Sequence, residues 1–337
     1  MTRRTTSFDV AAKAGVSQSA VSRVFSGASA SKDTVTKVRA AAKELGYRPN
    51  VLARSLITGR SRIIGLVVAY LGNPFYPDAL ERFSRVLQEE GYHTLVFTVP
   101  ESAGEDDITR VVQQMLDHQV DGMILASVGL SDALAARCEG AGIPVVLFNR
   151  GQSGSDLAQV TSANKTGGRK VAEFLLAGDH KKIGHVSGWQ GSSTGRDRTE
   201  GFLEMLEAAG HEPAGVEDGR YTHADAAQAA DKLIINGADA LFVGNDHMAF
   251  AVMDHVRFTL KLQVPGDVSV VGYDDVTMAS WAGYNLTTVR QPVGRMVRAT
   301  VDALITHIEN PDAPTSAKEI DGPLILRGSA RIPKGLA

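Results

Sequence analysis

Four side chains on one short stretch, Gln18, Ser19, Ser22 and Arg23, carry hydrogen-bonding groups that can meet base edges or phosphates. Val16, Ala20, Val21 and Val24 take the inner side of the same stretch, which leaves the polar four pointing outward. A second set of chemistry-bearing residues stands where apolar runs end. Asn149 with Arg150, Asn245 with Asp246, Asp274 with Asp275 and Arg290 with Gln291 each follow such a run, and residues 192–198 form a polar helix start of the same type. In open α/β sheets, ligands bind at the C-terminal ends of strands, so these positions converge on a small-molecule site.

The elements that must position the first set are short helices. From Thr6 the chain reads TSFDVAAKAGVSQSAVSRVF. Thr6 caps a first helix and Asp9 reaches back to it, while Gly15 ends that helix with a left-handed residue and Ser17 caps the next. Phe8, Val10, Ala11 and Ala14 are expected to line one side of the first helix. A third helix starts at the cap Ser31, carries Val35, Val38, Ala42 and Leu45 at helical spacing, and stops at Gly46. Pro49 then breaks the chain before a short helix-prone segment and a polar joint at 58–61. Residues 1–60 hold 11 Lys and Arg against 3 Asp and Glu, a net of +8, inside a chain of net −3. A basic head on an acidic body is the charge asymmetry of a nucleic-acid-binding module joined to a second function.

From Arg62 onward short apolar runs alternate with amphipathic ones. Strands are expected at 63–69, 93–99, 121–127, 144–149, 182–188, 238–245 and 268–275, with helices at 77–90, 105–118, 132–140, 165–177, 195–209 and 224–235. Strands apolar throughout and separated by helices mean parallel sheets covered on both faces. Two such sets of similar length predict two doubly wound lobes. Segment 285–292 and a helix to Glu309 are expected to cross back to the first lobe, and 322–329 to return to the second.

Bulk properties narrow the classes. The 337 residues suit two or three domains, and no apolar run approaches the roughly 18 residues of a membrane span. The start, MTRRTTSFD, has no apolar stretch behind its arginines, and Cys138 stands alone, so a reducing cytoplasmic location is expected. The chain has no GxGxxG, Walker or GxSxG motif. Its nine histidines show no i,i+4 pair. No catalytic residue, metal site or cofactor is expected.

Head, linker and body together resemble the LacI/GalR family of bacterial transcription regulators. The most specific pieces are DVAAKAGVSQSAVSRVFSG, YRPNVLARSL, RDRTEGF, FVGNDHMA, SVVGYDD and LTTVRQP, in that order. The resemblance implies an all-α helix-turn-helix head (1–48), a hinge helix and linker (49–61) and an α/β periplasmic-binding-protein-like effector body (62–337). Lobe one is expected at about 62–161 and 290–321, lobe two at about 162–289 and 322–337. It further implies a homodimeric repressor on a near-palindromic double-stranded operator, controlled by a small sugar-like effector and regulating carbohydrate uptake or catabolism. A corepressor-dependent repressor of a biosynthetic operon is the alternative; a transport binding protein or a sugar-modifying enzyme are remoter ones.

By the same resemblance Gln18, Ser19 and Arg23 face bases, and Thr6, Ser17, Ser22, Thr34 and Asn50 hold phosphates. Ala53 and Leu56 belong to a minor-groove hinge, with Leu56 as the wedge. In the body, Arg198, Asn149, Asn245, Asp274 and Gln291 match pocket positions; Asp274 and Asn245 suit vicinal hydroxyls, and Phe75 and Tyr221 can stack on a sugar ring. Asn149 stands where an Asp often does, with Arg150 beside it. That cation suits a sugar acid or sugar phosphate, or else it pairs with a neighbouring carboxylate. No heptad tail follows Ile332, which points to a dimer rather than a tetramer.

Overall fold

Cap chemistry decides where the head's helices begin and end. In the computed structural model, which describes residues 5–26, 29–47, 60–99, 104–128 and 131–335, helix α1 runs Ser7–Ala14, α2 Gln18–Ser26 and α3 Lys32–Glu44. The Thr6 backbone N–H donates to Asp9 Oδ2 at 2.8 Å and the Asp9 N–H donates to Thr6 Oγ1, a complete capping box. Gly15, at φ 65°, turns the chain in the left-handed region that a β-carbon would disfavour. Ser17 then accepts from the Ala20 N–H and Ser31 from the Thr34 N–H. Val10, Ala11, Ala20, Val21, Val24, Val38, Ala41 and Ala42 close a small core.

Phe8 departs from the expected pattern. It is 69% exposed, because it precedes the fully buried Val10 by two residues, about 200° around the helix. Asn50, Ala53 and Leu56, with most of the expected hinge, lie outside the described residues.

The chain divides into two units, a head of residues 1–62 with 119–121 and a body of residues 63–118 and 122–337. The body contains two six-stranded sheets. The first comprises β1 (Ile63–Ala69), β2 (His93–Val99), β3 (Gly122–Ala126), β4 (Val145–Phe148), β5 (Ala158–Ser162) and β11 (Ala317–Ile320), in the order β11-β5-β4-β3-β1-β2. The second comprises β6 (Ile183–Ser187), β7 (Gly215–Asp218), β8 (Ala240–Val243), β9 (Ser269–Asp274), β10 (Thr287–Arg290) and β12 (Leu324–Ile325), in the order β12-β10-β9-β8-β6-β7. All pairings are parallel except that of β10 with β12. Strands β3, β4, β8 and β9 are buried along their whole length, as runs covered on both faces must be.

Three strands are absent from the periodicity analysis: β5 (AQVTS), β7 (GVED) and β11 (AKEI). β7 and β11 are edge strands, whose short polar sequences carry no apolar run to detect. Strand β10 pairs with β9 and stays in the second lobe. Only helix α11 (Val293–Glu309) crosses, packing on β3, β4, β5 and on α4 (Phe75–Glu89) of the first. The remaining helices are α5 (Glu105–Asp117), α6 (Asp132–Gly140), α7 (Asn164–Ala177), α8 (Ser193–Ala208), α9 (His223–Ile235) and α10 (Asp246–Asp254).

Helices α7 and α8 approach until backbone meets backbone. A β-carbon on Gly168 would stand 2.1 Å from the Arg198 carbonyl oxygen, and one on Gly201 1.9 Å from that of Lys165. The contact brings Arg198, on α8, within hydrogen-bonding reach of Asn164, the first residue of α7.

Candidate functional site

A cavity open to solvent, with about 270 Å³ of space including its mouth, lies between the two lobes of the body. Lobe one contributes Tyr70, Asn73, Phe75, Tyr76, Asn149 and Arg150 from the ends of β1 and β4 and the start of α4. Lobe two contributes Thr194 and Arg198 from α8, Tyr221 and Asn245 from loops after β7 and β8, and Asp274 from the end of β9. Gln291 comes from the crossover. Four of these residues hold positive φ without being glycine: Tyr70 (66°), Asn149 (70°), Tyr221 (61°) and Asp274 (134°). Such backbone costs about 1–3 kcal/mol per residue and persists where surrounding structure imposes it.

Arg198 and Asp274 form the electrostatic centre. The Arg198 Nε donates to Asn164 Oδ1 (2.9 Å) and Nη1 to the Gly244 carbonyl (2.6 Å), while the guanidinium lies 3.7 Å over the Tyr273 ring. Its Nη1 stands 3.7 Å from Asp274 Oδ1, with both side chains almost fully buried. Gln291 Nε2 donates to Asp274 Oδ1 at 2.6 Å, and Asn73 adds a hydrogen bond from across the cleft. Burial nonetheless pushes the Asp274 carboxyl up to about 6, against the pull of Arg198, Gln291 and Asn73.

Behind it lies Asp246, fully buried, accepting from Thr288 Oγ1 (2.6 Å) and the Val276 N–H (3.0 Å). Burial first, then the Asp274 charge, raises it to about 8. Asp275 points elsewhere and pairs with Arg290 and Arg327 at 2.6 Å each, so Asp274 and Asp275 do not form an acid pair. Among the described residues no cluster of three or more His, Cys, Asp or Glu is placed to hold a metal ion.

The lobe-one wall is aromatic and amide. Asn149 Nδ2 donates to Tyr76 Oη (2.9 Å), and Phe75 stacks on Phe148 with its edge to Tyr76. The Asn149 Oδ1 and Gln291 Oε1 atoms are buried without a hydrogen-bond partner. Tyr221 is fixed by Thr194 (3.0 Å) and Ser192 (3.2 Å) at its hydroxyl. Asn245 Oδ1 is committed to capping α10 through the Met248 N–H. Contacts bridge the lobes at the cavity itself: the Tyr70 hydroxyl donates to the Tyr221 carbonyl, the Gly151 N–H to Ser193 Oγ (2.9 Å), and Arg150 lies 5.5 Å over the Tyr221 ring.

The eight body residues singled out from the sequence, Phe75, Asn149, Arg150, Arg198, Tyr221, Asn245, Asp274 and Gln291, all line this cavity. Tyr70, Asn73 and Tyr76 line it as well, outside the expected set, and Thr194 joins them from the polar helix start at 192–198. Asn73 stands shortly after β1, so a strand-end signal is present for it. In the head, Gln18, Ser19 and Arg23 are exposed on α2 opposite Ala20, Val21 and Val24. Ser17 is exposed, Ser22 half-buried, Thr6 is engaged in its capping box, and Thr34 Oγ1 shares a hydrogen bond with Ser31.

A helix-turn-helix head joined to a two-lobed body with a polar inter-lobe cavity defines a small-molecule sensor coupled to a DNA reader. Residues 8–50 match the bacterial regulatory proteins of the lacI family, and residues 172–330 match a periplasmic binding protein-like domain. The chain is 31% identical to the ribose operon repressor of Escherichia coli K12, over 96% of this chain and 98% of that protein. Among solved structures it is similar to the lac repressor dimer bound to operator and the anti-inducer ONPF (27% identical, TM-score 0.87, covering 97% and 99% of the two chains). It is also similar to the complex of the transcriptional regulator CelR with cellobiose (31%, TM-score 0.74, 97% and 100%). The chain belongs to the LacI family of bacterial transcriptional regulators. No helix among the described residues is long and apolar enough to cross a membrane.

Proposed function

We propose that this regulator is a repressor that binds a near-palindromic operator as a homodimer and is controlled by a sugar-like effector held in the inter-lobe cavity. The observation that carries the reading is that cavity residues of both lobes touch one another, so that a ligand there shifts the relation of the lobes if it favours one arrangement of them. On the DNA side Gln18, Ser19 and Arg23 read bases, with Arg23 forming the bidentate guanine contact. Thr6, Ser17, Ser22, Thr34 and Asn50 hold phosphates, and Leu56 with Ala53 forms the minor-groove hinge.

In the cavity Arg198, Asp274, Asn149 and Gln291 bind hydroxyl or anionic groups, Asn245 and Arg150 complete the polar lining, and Phe75 and Tyr221 pack against the ring. Relatives whose names carry ribose and cellobiose support a carbohydrate effector and a carbohydrate operon. The protein has no catalytic role in this reading: Asp274 is tied to Arg198 and Gln291, and Asp275 to Arg290 and Arg327.

Operator affinity measured with and without carbohydrates tests the proposal. Selective duplex binding that one sugar or sugar derivative releases identifies an inducer; tightening identifies a corepressor. Binding indifferent to sequence at moderate salt refutes the repressor reading.

A further inference from the structure

Three charged side chains line the cavity, Arg150, Arg198 and Asp274, and they do not balance. Arg198 and Asp274 answer each other across 3.7 Å, and Arg198 is further held by Asn164 and the Gly244 carbonyl. Arg150 gives one hydrogen bond, from Nη1 to the Ser127 carbonyl at 3.2 Å, and its Nε is buried with no partner. Among the described residues no carboxylate stands within ion-pair distance of it. A guanidinium held partly out of water over the Tyr221 ring therefore leaves the cavity with one unmatched positive charge.

The other unsatisfied atoms have the opposite character. Asn149 Oδ1 and Gln291 Oε1, on side chains 4% and 3% exposed, are acceptors awaiting a donor. A ligand that completes this cavity thus brings hydroxyl donors and an anionic group together.

Resting on the effector reading above, we infer that the ligand is a sugar acid whose carboxylate is held by Arg150, and that Arg150 sets specificity against the corresponding neutral sugar. A carboxylate matches a planar guanidinium in charge and geometry. A phosphate ester, carrying close to two charges at neutral pH, would leave one uncompensated.

The test is titration calorimetry on the full-length protein with three sets of probes. These are glucose, galactose and ribose; gluconate, glucuronate, galactonate and galacturonate; and glucose 6-phosphate with cellobiose. One of the acids should bind at least about 30-fold more tightly than its neutral parent, and more weakly as salt rises. In Arg150→Gln that ratio should fall to near one, and Arg150→Lys should restore part of it. Unliganded melting curves confirm that the variants fold.

A neutral sugar binding tightly and equally to wild type and Arg150→Gln overturns the proposal and leaves the carbohydrate-effector reading standing. Preference for cellobiose or for glucose 6-phosphate, with the acids inert, overturns the carboxylate. If no carbohydrate binds, the effector reading falls and this proposal falls with it.

Discussion

Replacing Gly168 by alanine tests whether the cavity depends on a helix contact that it does not itself include. The added β-carbon would stand 2.1 Å from the Arg198 carbonyl oxygen and 3.0 Å from the Phe202 nitrogen. The obstructing atoms are backbone, so no side-chain rotation relieves the overlap, and α7 and α8 must separate by about 1 Å to restore ordinary contact. Overpacking of this kind costs about 1–3 kcal/mol, and a rigid obstruction belongs at the upper end. Alanine recovers about 1 kcal/mol of helix propensity, leaving a net loss of about 2 kcal/mol. The separation also stretches the 2.9 Å bond from Arg198 Nε to Asn164 Oδ1, which holds the guanidinium at the cavity. Losing a charge-assisted bond of this type predicts roughly tenfold weaker effector binding. Urea unfolding and calorimetric titration measure the two effects. Gly140→Ala, at the exposed end of α6 with no atom within 4 Å of the new carbon, is the control and should be neutral or stabilising. A Gly168→Ala protein as stable as wild type with unchanged ligand affinity would refute the reasoning.

Arg198→Met removes the partner of a buried carboxylate as well as two hydrogen bonds and a cation–π contact. Ligand-dependent change in operator binding should disappear in a gel-shift titration, and a variant responding at wild-type concentrations excludes the residue. The Asp246 carboxyl, raised from 3.8 to about 8 in the folded protein, keeps its proton there while the unfolded chain releases it. The native state therefore binds more protons across that window, and its contribution to stability declines as pH rises from about 4 to 8. Asp246→Asn should flatten that slope in unfolding free energies measured at several pH values; an unchanged slope means the carboxyl ionises normally. Arg23→Ala should cost about 1–3 kcal/mol of specific operator binding and relax preference at one base pair, read by competition with single-substitution duplexes. An unaltered preference profile assigns the guanine contact elsewhere.

What the sequence revealed follows the range of each interaction. Thr6, Asp9, Gly15 and Ser17 act within four residues of themselves, so the helix boundaries of the head could be read directly. Phe8 could not be placed, because hydrophobicity says a residue prefers burial and says nothing about which side of a two-turn helix faces the core. The central strands were legible because both their faces are covered; β7 and β11, at sheet edges, lack that signature. The cavity shows the same division. Amides and charges after apolar strands announce themselves, whereas Tyr70 and Tyr76 carry no such signal. Their arrival at the cavity depends on the positive φ of Tyr70 and on α4 starting at Phe75. The unmatched charge of Arg150 is equally invisible in one dimension, since its freedom from carboxylates is a fact about distant loops.

The bridging contacts also constrain how a ligand can act. Tyr70 meets the Tyr221 carbonyl, Asn73 meets Asp274, and Arg150 covers Tyr221, so the residues that would hold an effector already join the lobes without one. A ligand that only replaced these contacts would bind both lobe arrangements equally and shift nothing. The shift must come from groups that these contacts leave unsatisfied, and these are the Asn149 and Gln291 oxygens and the Arg150 Nε. A coupling of about 1–3 kcal/mol between cavity and operator is ordinary for allosteric proteins. One charge-assisted hydrogen bond and one neutral one, at about 1.5–3 and 0.5–1.5 kcal/mol, supply a differential of that size. Effector response should therefore track these three atoms more closely than it tracks the aromatic walls.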